Sequence, residues 1–370
     1  MYPLVFIIGL KQLIVRINTY KNHFELSNFT YSRKCHNFSE ILSNKLSSMI
    51  TLMKLDLKIL SLAAVLVLCG CASTLDQDNA LAIAPYRILE DGRIVVESRV
   101  NDQGPFGFAL DTGSSISIVF DDLSNKLELE VLPGQRVMIH GTVASGGFPL
   151  VGVSRLQVGQ ETWDDPRIAS LPGDTEAGDT IDGILGIDFL QRYAIGFSAE
   201  DHIVRLYHPD LVSNRSYRGW ATIPLERVNI GESGAALYFF DVEIRGQTVP
   251  ALFDLGAGLN MINWPAARSL RFSTVRRSRD HLVSGVIESE PVVARTEAMQ
   301  VKTAGIRWRN EVFLIADLEI FATLQKSDSP FVILGAGLFN QRDFVIDFVR
   351  NRLLVKVAMA EVEDVDKLTR

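Results

Sequence analysis

Two aspartates that each end an apolar run are the residues of this sequence best suited to chemistry. Asp111 follows residues 107–110 (GFAL), and Asp254 follows residues 249–253 (VPALF), 143 positions further along the chain. Two carboxyl groups about 3 Å apart cannot both ionise readily, so they share one proton and titrate as a unit. Such a pair can activate a water molecule and polarise a carbonyl group. These two steps are enough to hydrolyse an amide without a metal or a covalent nucleophile.

The two aspartates belong to a repeat. A turn sequence (NDQGPF over 101–106, RGQT over 245–248) precedes each apolar run. A Leu-Gly element follows each aspartate, in residues 183–190 (GILGIDFL) and 332–339 (VILGAGLF). Its glycine lies 75 residues after the first aspartate and 81 after the second. Two elements in the same order at similar spacing indicate two copies of one lobe.

The elements that position the repeat are short strands. Alternating apolar runs bounded by Gly, Asp and Pro predict an all-β chain with few helices. Hairpin-like pairs follow each Leu-Gly element, at 194–197 with 203–206 and at 344–348 with 353–355. Other strands are predicted over residues 93–100, 106–110, 115–120 and 236–244, and short helices over 188–192 and 266–270.

An apolar strand ending in Asp-Thr-Gly-Ser, followed by an apolar-apolar-Gly element, resembles the aspartic proteases. The bacterial retropepsin-like group is the nearer match, because its lobes carry a Gly-Pro-Phe turn before Asp-Thr-Gly. The resemblance covers about residues 88–355. It implies two tandem retropepsin-like barrel lobes related by a pseudo-twofold axis. It also implies an aspartic endopeptidase in which Asp111 and Asp254 are catalytic, with no cofactor and no metal.

The residues beside the aspartates fit the same interpretation. Gly113 and Gly256 suit a tight loop in which backbone approaches the partner lobe. The resemblance assigns Thr112 a hydroxyl hydrogen bond across the seam and Ser114 a hydrogen bond to the outer oxygen of the first aspartate. It gives Ala257 a supporting position in the second loop.

Leu255 departs from the family pattern. The second loop reads Asp-Leu-Gly, so one of two cross-lobe hydroxyls is missing. Asp254 is retained, which favours an active enzyme over the alternative, a catalytically inactive module that binds extended peptides. Close approach of the two carboxyl groups would favour the enzyme, and wide separation would favour the binder.

Glycine-bearing segments predict lids over the cleft. In the first lobe, residues 139–148 (IHGTVASGGF) include the candidate flap residues Gly141, Ser145, Gly146 and Gly147. In the second lobe, residues 283–286 include Gly285 as a fainter equivalent. Lids of this kind exclude water and hold a peptide extended. An ordinary glycine hairpin is the alternative interpretation.

Three nearby polar features are expected to be structural. His140 is interpreted as a surface or packing residue rather than a catalyst. Residues 174–182 form an acidic stretch expected to be a solvated connection. Asp188, just after the first Leu-Gly element, is expected to make structural hydrogen bonds.

The N-terminal region is expected to direct export. A basic start at Lys54 and Lys58, an apolar run over residues 59–68 and small residues before Cys71 are typical of a secretory signal. The ending resembles the lipobox of bacterial lipoproteins, which implies lipid attachment at Cys71. A plain signal peptide or an uncleaved anchor is the alternative. We expect residues 1–52 to be a non-native or untranslated extension, with translation starting at Met53 or Met49.

The net charge of the chain changes sign at the end of the predicted signal peptide, near residue 70. Residues 1–70 hold eight basic and three acidic residues, a formal charge of +5, and residues 71–370 hold 29 basic and 41 acidic residues, −12. An acidic mature chain argues against nucleic-acid binding. The expected partners are a peptide or protein substrate and, through the lipid, a membrane. We expect export to the cell envelope, facing the periplasm (outer membrane favoured) or the exterior.

The sequence predicts two lobes that follow an N-terminal signal peptide and tether. After the signal peptide at 53–70, it comprises a tether over 71–84, lobe 1 over 85–210, a linker over 211–222, lobe 2 over 223–358 and a tail over 359–370. The aspartate pair is expected to form within one monomeric chain. A homodimer that brings together two copies of Asp111 is the alternative.

Overall fold

A computed structural model describes residues 79–357, apart from residues 141–144, 174–180, 213–216, 218, 231–234, 273–281, 285–288, 292–293 and 297–298. The predicted signal peptide, Cys71 and the predicted C-terminal tail lie outside the described residues. Both lobes belong to one compact unit. In the part of the chain that is described, none of the helices has the length and apolar character to span a bilayer.

The described chain is built from short strands. In the first half these are β1 Ala82–Ile88, β2 Ile94–Val100, β3 Gln103–Leu110, β4 Ile118–Phe120, β5 Glu130–His140, β6 Ser145–Gly152, β7 Arg155–Val158, β8 Glu161–Asp164, β9 Arg167–Leu171, β10 Gly183–Leu185, β11 Ala194–Ser198 and β12 Ile203–Tyr207. In the second half they are β13 Trp220–Pro224, β14 Glu226–Ile230, β15 Ala235–Ile244, β16 Gln247–Asp254, β17 Asn260–Ile262, β18 Leu282–Ser284, β19 Ser289–Pro291, β20 Ala294–Arg295, β21 Met299–Thr303, β22 Ile306–Glu311, β23 Phe313–Ile315, β24 Val332–Gly335, β25 Phe344–Asp347 and β26 Arg352–Lys356.

Helices are few and short. They are α1 Asp121–Lys126, α2 Ile187–Leu190, α3 Trp264–Ser269, α4 Glu319–Thr323 and α5 Ala336–Phe339, with one 3-10 turn at Pro209–Leu211. The sequence predicts α2 and α3 within two residues of their observed ends. The strand predicted over 115–120 is confined to β4, because residues 111–117 form a loop at the site. The all-β, two-lobed fold class is confirmed.

Each lobe places its aspartate with the same strand arrangement. In lobe 1, β10 runs parallel to β3, with Leu185 opposite Leu110, and antiparallel to β4. In lobe 2, β24 runs parallel to β16, with Gly335 opposite Asp254, and antiparallel to β17. The loop from the aspartate to β4 or β17 therefore folds over the Leu-Gly element of its own lobe. This is how the two halves of the repeat position equivalent loops.

The hairpins that close each lobe form a sheet that the lobes share. Its strands run in the order β13-β26-β25-β11-β12-β1. The central seam pairs β11 of lobe 1 with β25 of lobe 2, for example Phe197 opposite Phe344. Their rings stack with centroids 4.2 Å apart. The largest buried apolar cluster also contains side chains from both lobes.

Two predicted domain boundaries differ from the strands observed. β1 begins at Ala82, inside the segment expected to be a tether, because it pairs with β12 and contributes to the shared sheet. β13 begins at Trp220, inside the expected linker, because it pairs with β26 along the edge of the same sheet. Each segment pairs with a strand more than 100 residues away in the sequence, so no local pattern indicated the pairing.

Candidate active site

The two aspartates lie at the ends of equivalent strands. Asp111 directly follows β3, and Asp254 is the last residue of β16. Their side chains are 9% and 8% exposed, which leaves a small opening to solvent in a site otherwise covered by protein. Buried apolar strands that end at a polar residue deliver both carboxyl groups to the seam between the lobes.

Each loop packs its glycine against the other lobe's carboxyl group. A Cβ atom on Gly113 would lie 2.6 Å from Cγ of Asp254, and a Cβ atom on Gly256 would lie 2.2 Å from Cγ of Asp111. No side chain fits at either position. The two loops therefore meet face to face across the seam.

Backbone amides hold one oxygen of each carboxyl group in matching ways. Oδ1 of Asp111 accepts hydrogen bonds from the N–H of Gly113 at 2.8 Å and of Ser114 at 3.0 Å. Oδ1 of Asp254 accepts from the N–H of Gly256 at 2.9 Å and of Ala257 at 3.2 Å. Residues two and three positions after each aspartate thus fix its orientation.

Different neighbours act on the pKa of each carboxyl group. Burial raises the pKa of both. For Asp254 the negative charge of Asp111 raises the pKa further, to well above its ordinary value. For Asp111, hydrogen bonds from the loop and from Asp254 and the positive charge of Arg93 oppose the effect of burial. The two carboxyl groups therefore share one proton and titrate as a pair.

Thr112 ties the two loops together, while Leu255 does not reciprocate. The Thr112 hydroxyl donates to the backbone oxygen of Phe253 at 2.8 Å and accepts from the N–H of Leu255 at 2.9 Å. The Leu255 side chain is fully buried in the main apolar cluster and has no hydroxyl to offer in return. One hydroxyl therefore serves both a donor and an acceptor of the opposite lobe.

Ser114 bonds to Asp111 through its backbone N–H, and its hydroxyl bonds elsewhere. Its Oγ donates to the backbone oxygen of Ile116 at 2.7 Å. Only the backbone N–H of Ser114 reaches Asp111. The hydroxyl closes the loop on itself, because residue 116 lies two positions further along the same tight turn.

A second layer of polar residues was missed in the sequence. The Oγ of Ser117 accepts from the N–H of Gly186 at 3.0 Å, and the Oδ1 of Asn260 accepts from the N–H of Gly335 at 3.1 Å. Ser117 and Asn260 each lie six residues after an aspartate, and both glycines belong to the Leu-Gly elements. Aligning the two copies position by position would have indicated this pair.

Asp188 makes the structural hydrogen bonds expected of it. Its carboxylate accepts from the N–H of Ser117 at 2.9 Å and from the Ser117 hydroxyl at 2.7 Å. Burial raises the pKa of Asp188, and the hydrogen bonds from Ser117 oppose that effect. Asp188 therefore holds the end of the first active-site loop in place through its hydrogen bonds with Ser117.

The predicted first-lobe flap corresponds to the hairpin of β5 and β6, whose tip lies outside the described residues. Its register places Ile139 opposite Gly146 and His140 opposite Ser145. The Ser145 hydroxyl bonds to the His140 ring at 2.9 Å and also to the carboxylate of Glu319, at the start of α4 in lobe 2. The flap therefore crosses from its own lobe to the other.

The remaining predicted flap residues are placed as follows. Gly146 and Gly147 lie in β6. Gly141 lies outside the described residues, as does Gly285, although β18 and β19 pair on either side of it. His140 is exposed. Of the predicted connection 174–182, the described end includes Asp182, whose carboxylate accepts from the N–H of Gly107 at 2.7 Å.

Comparison with known families adds to this geometry. A family model described as aspartyl protease matches the chain twice, over residues 96–189 and 240–338. Together the two matches cover more than half of the chain. The chain belongs to the aspartyl protease family. No curated protein matches it in a whole-sequence comparison.

Each of the two matched ranges contains one of the two active-site aspartates and the Leu-Gly element that follows it. The first includes Asp111 and Gly186, and the second includes Asp254 and Gly335. The sequence repeat, the two lobes and the two family matches therefore describe the same duplication. Within the described ranges, no three His, Cys, Asp or Glu side chains are grouped so that they could hold a metal ion.

Proposed function

We propose that this protein is an aspartic endopeptidase that hydrolyses peptide bonds with Asp111 and Asp254 of one chain. The observation that carries the proposal is the mutual packing of the two loops, in which each glycine lies against the other lobe's carboxyl group. That packing supports one shared proton. A module that only bound peptides would have no need to bury two carboxyl groups against each other, since such a pair costs stability.

In the proposed mechanism each carboxyl group has one role. Asp111, ionised, takes a proton from a water molecule as the water oxygen attacks the carbonyl carbon. Asp254, protonated, gives its proton to the carbonyl oxygen, and a neutral tetrahedral diol forms. Asp111 then gives its proton to the amide nitrogen while Asp254 takes one from a diol hydroxyl, so the C–N bond breaks and the pair again holds one proton. Activity requires one proton on the pair and so falls on both sides of a pH window.

The flap supports a substrate bound in extended form. Ile139 and Phe148 of the hairpin pack with Ile116 of the first active-site loop in one apolar cluster. The cluster lies between the flap and the loop that carries Asp111. We therefore expect apolar side chains beside the bond that is cleaved, because they would extend this cluster.

Location in the cell is a proposal from the sequence alone. A basic start, an apolar run and Cys71 support a lipid-anchored protein of the cell envelope. Replacing Cys71 by Ser should abolish incorporation of labelled fatty acid into the protein in cells. Incorporation that is absent from the wild type, or unchanged in Cys71→Ser, would overturn the lipid anchor while leaving the proposed catalysis untouched.

The test of catalysis is cleavage of a peptide library by residues 75–370. Asp111→Asn and Asp254→Asn should each lower kcat by about 10²–10⁴-fold, because each removes one half of the acid–base pair. Asp122→Asn is the matched control, since Asp122 is exposed in the first turn of α1. It should cleave like the wild type.

The other outcomes separate the alternatives. Wild-type protein that binds extended peptides and cleaves none would support the inactive binding module. Cleavage that Asp111→Asn leaves unchanged would overturn the proposed mechanism. Sedimentation of the active protein tests the homodimer alternative, because a monomer with full activity excludes a site built from two copies of Asp111.

A further inference from the structure

A turn of lobe 1 that is remote in sequence from both aspartates reaches the active site. It joins β1 to β2 and contains Asp91, Gly92 and Arg93. The N–H of Leu89 donates to the Arg93 oxygen at 2.9 Å, which closes the turn. Gly92 has a φ of +100°, a conformation that favours glycine. An Asp-Gly pair at this position is typical of a tight hairpin turn.

The turn docks by its backbone on the second lobe. A Cβ atom on Gly258 would lie 2.4 Å from the backbone oxygen of Asp91, and a Cβ atom on Gly92 would lie 3.1 Å from Cα of Gly337. The Asn340 side chain donates to the Gly92 oxygen at 3.2 Å. Gly258 lies four residues after Asp254, so the turn touches the second active-site loop itself.

The two glycines that form this seat have no counterparts at the matching positions of lobe 1. The residue four positions after Asp111 is Ser115, where lobe 2 has Gly258. The residue two positions after Gly186 is Asp188, where lobe 2 has Gly337. Both glycines that admit the turn are thus replaced in lobe 1 by residues with side chains. The seat is a specific difference between two otherwise matching halves.

The turn also fixes the guanidinium group of Arg93. Arg93 Nε donates to Oδ2 of Asp91 at 2.6 Å, and the Arg93 N–H donates to Oδ1 of the same carboxylate at 2.9 Å. The Arg93 side chain is only 15% exposed. Its charge acts against burial in setting the pKa of Asp111, whose other charged neighbour is Asp254.

We propose that the Asp91–Arg93 turn is a positioning element, which holds the second active-site loop against lobe 1 and keeps Arg93 as a fixed cation beside the aspartate pair. It supplies a second tie across the seam where Leu255 offers no hydroxyl. Arg93 acts through Asp111 and is a positioning residue. The inference rests on the proposed function for its kinetic consequences, whereas the contacts of the turn with the second loop stand on geometry.

The test compares Arg93→Gln, Arg93→Lys and wild type in the pH profile of kcat/KM for one peptide. Without the cation, ionisation of Asp111 requires a higher pH. The acidic limb of Arg93→Gln should move up by about 0.5 pH unit, which is about a threefold loss on that limb. Arg93→Lys should restore most of the shift. Arg155→Gln is the control, because Arg155 pairs with Asp164 and Asp102 on the surface.

A second measurement does not depend on activity. Carbon-13 NMR of protein labelled at its Asp carboxyl groups follows the titration of the pair directly. The lower apparent pKa of the pair should rise in Arg93→Gln and remain near the wild-type value in Arg93→Lys. If wild-type protein cleaves nothing but this shift occurs, the proposed function fails and the positioning role stands.

Other results would overturn the proposal. Identical titrations of Arg93→Gln and wild type would do so, as would an equal shift in Arg93→Lys, which would assign the effect to packing. If Arg93→Gln does not fold, Gly258→Ser tests the seat by giving lobe 2 the residue of lobe 1. It should displace the turn and raise the lower apparent pKa in the same direction, and an unchanged titration would refute the seat.

Discussion

The two active-site loops follow the same backbone path but are held across the seam in different ways. The first loop projects the Thr112 hydroxyl into the opposite lobe, where it bonds to backbone groups of Phe253 and Leu255. The second loop presents Leu255 to the apolar core and receives the turn at Gly92 from outside. The contacts that hold a duplicated loop across the seam can therefore change, provided that each carboxyl group keeps its amide donors and the glycine that faces it.

The features that both loops share should be the least tolerant of change. Gly256→Ala places a methyl group 2.2 Å from Cγ of Asp111, and Gly113→Ala places one 2.6 Å from Cγ of Asp254. Either change must separate the carboxyl groups, and a misplacement of about 1 Å costs about 10²-fold in rate. We expect kcat to fall at least that far in both variants.

The control for this prediction is Gly173→Ala. A Cβ atom there meets only Cβ of Phe120, at an ordinary 3.7 Å. Its activity should match that of the wild type. Activity retained in Gly256→Ala would mean that the loops can move apart without loss, which the close packing does not allow.

The side chains that differ between the two loops, Thr112 and Leu255, should contribute unequally to the free energy of unfolding. Thr112→Val removes the hydroxyl and leaves the buried N–H of Leu255 without its acceptor, which costs about 1–3 kcal/mol of unfolding free energy. Leu255→Val removes one buried methylene and costs about 0.5–1.5 kcal/mol. Urea unfolding of the two variants measures the difference. Equal losses would show that the hydroxyl contributes no more than packing.

The two carboxyl groups also predict a pH-dependent stability. Burial and the charge of Asp111 hold the pKa of Asp254 well above its ordinary value. The stability that protonated Asp254 contributes is therefore fully present below its unfolded pKa and is lost as pH rises through its folded pKa. Asn cannot ionise, so Asp254→Asn should have a higher Tm than wild type at neutral pH.

The difference in Tm between Asp254→Asn and wild type should shrink as the pH falls and the wild-type pair becomes protonated. Differential scanning calorimetry across pH measures it. Asp122→Asn should show no such trend, because Asp122 is exposed. A Tm difference for Asp254→Asn that is constant with pH would contradict the raised pKa, and this is the smallest of the three expected effects.

Much of the site was visible in the sequence because it is local. The aspartates, their glycines and the Leu-Gly elements each lie in one short segment, and the repeat doubles the signal. The flap hairpin was placed by its glycines for the same reason. Ser117 and Asn260 could have been found by comparing the copies, since each follows its aspartate by six residues.

The rest could not be predicted because it depends on contacts between distant segments. Gly92 meets Gly337 across 245 positions of the chain, and no local pattern at either residue indicates the other. Ser145 of the flap reaches Glu319 in the same non-local way. The resemblance predicted a bond from Ser114 to Asp111, but not that the backbone N–H makes it while the hydroxyl bonds to Ile116.

The pairing of β11 with β25 has a consequence for the order in which the protein becomes active. A ribosome delivers lobe 1 first, with β11 still an open edge, and β25 and β26 are synthesised about 150 residues later. Sheet pairings between such distant segments form late in folding. The seam that brings the carboxyl groups together is therefore complete only after nearly the whole chain has been made. A nascent chain carries both aspartates before it carries a working pair.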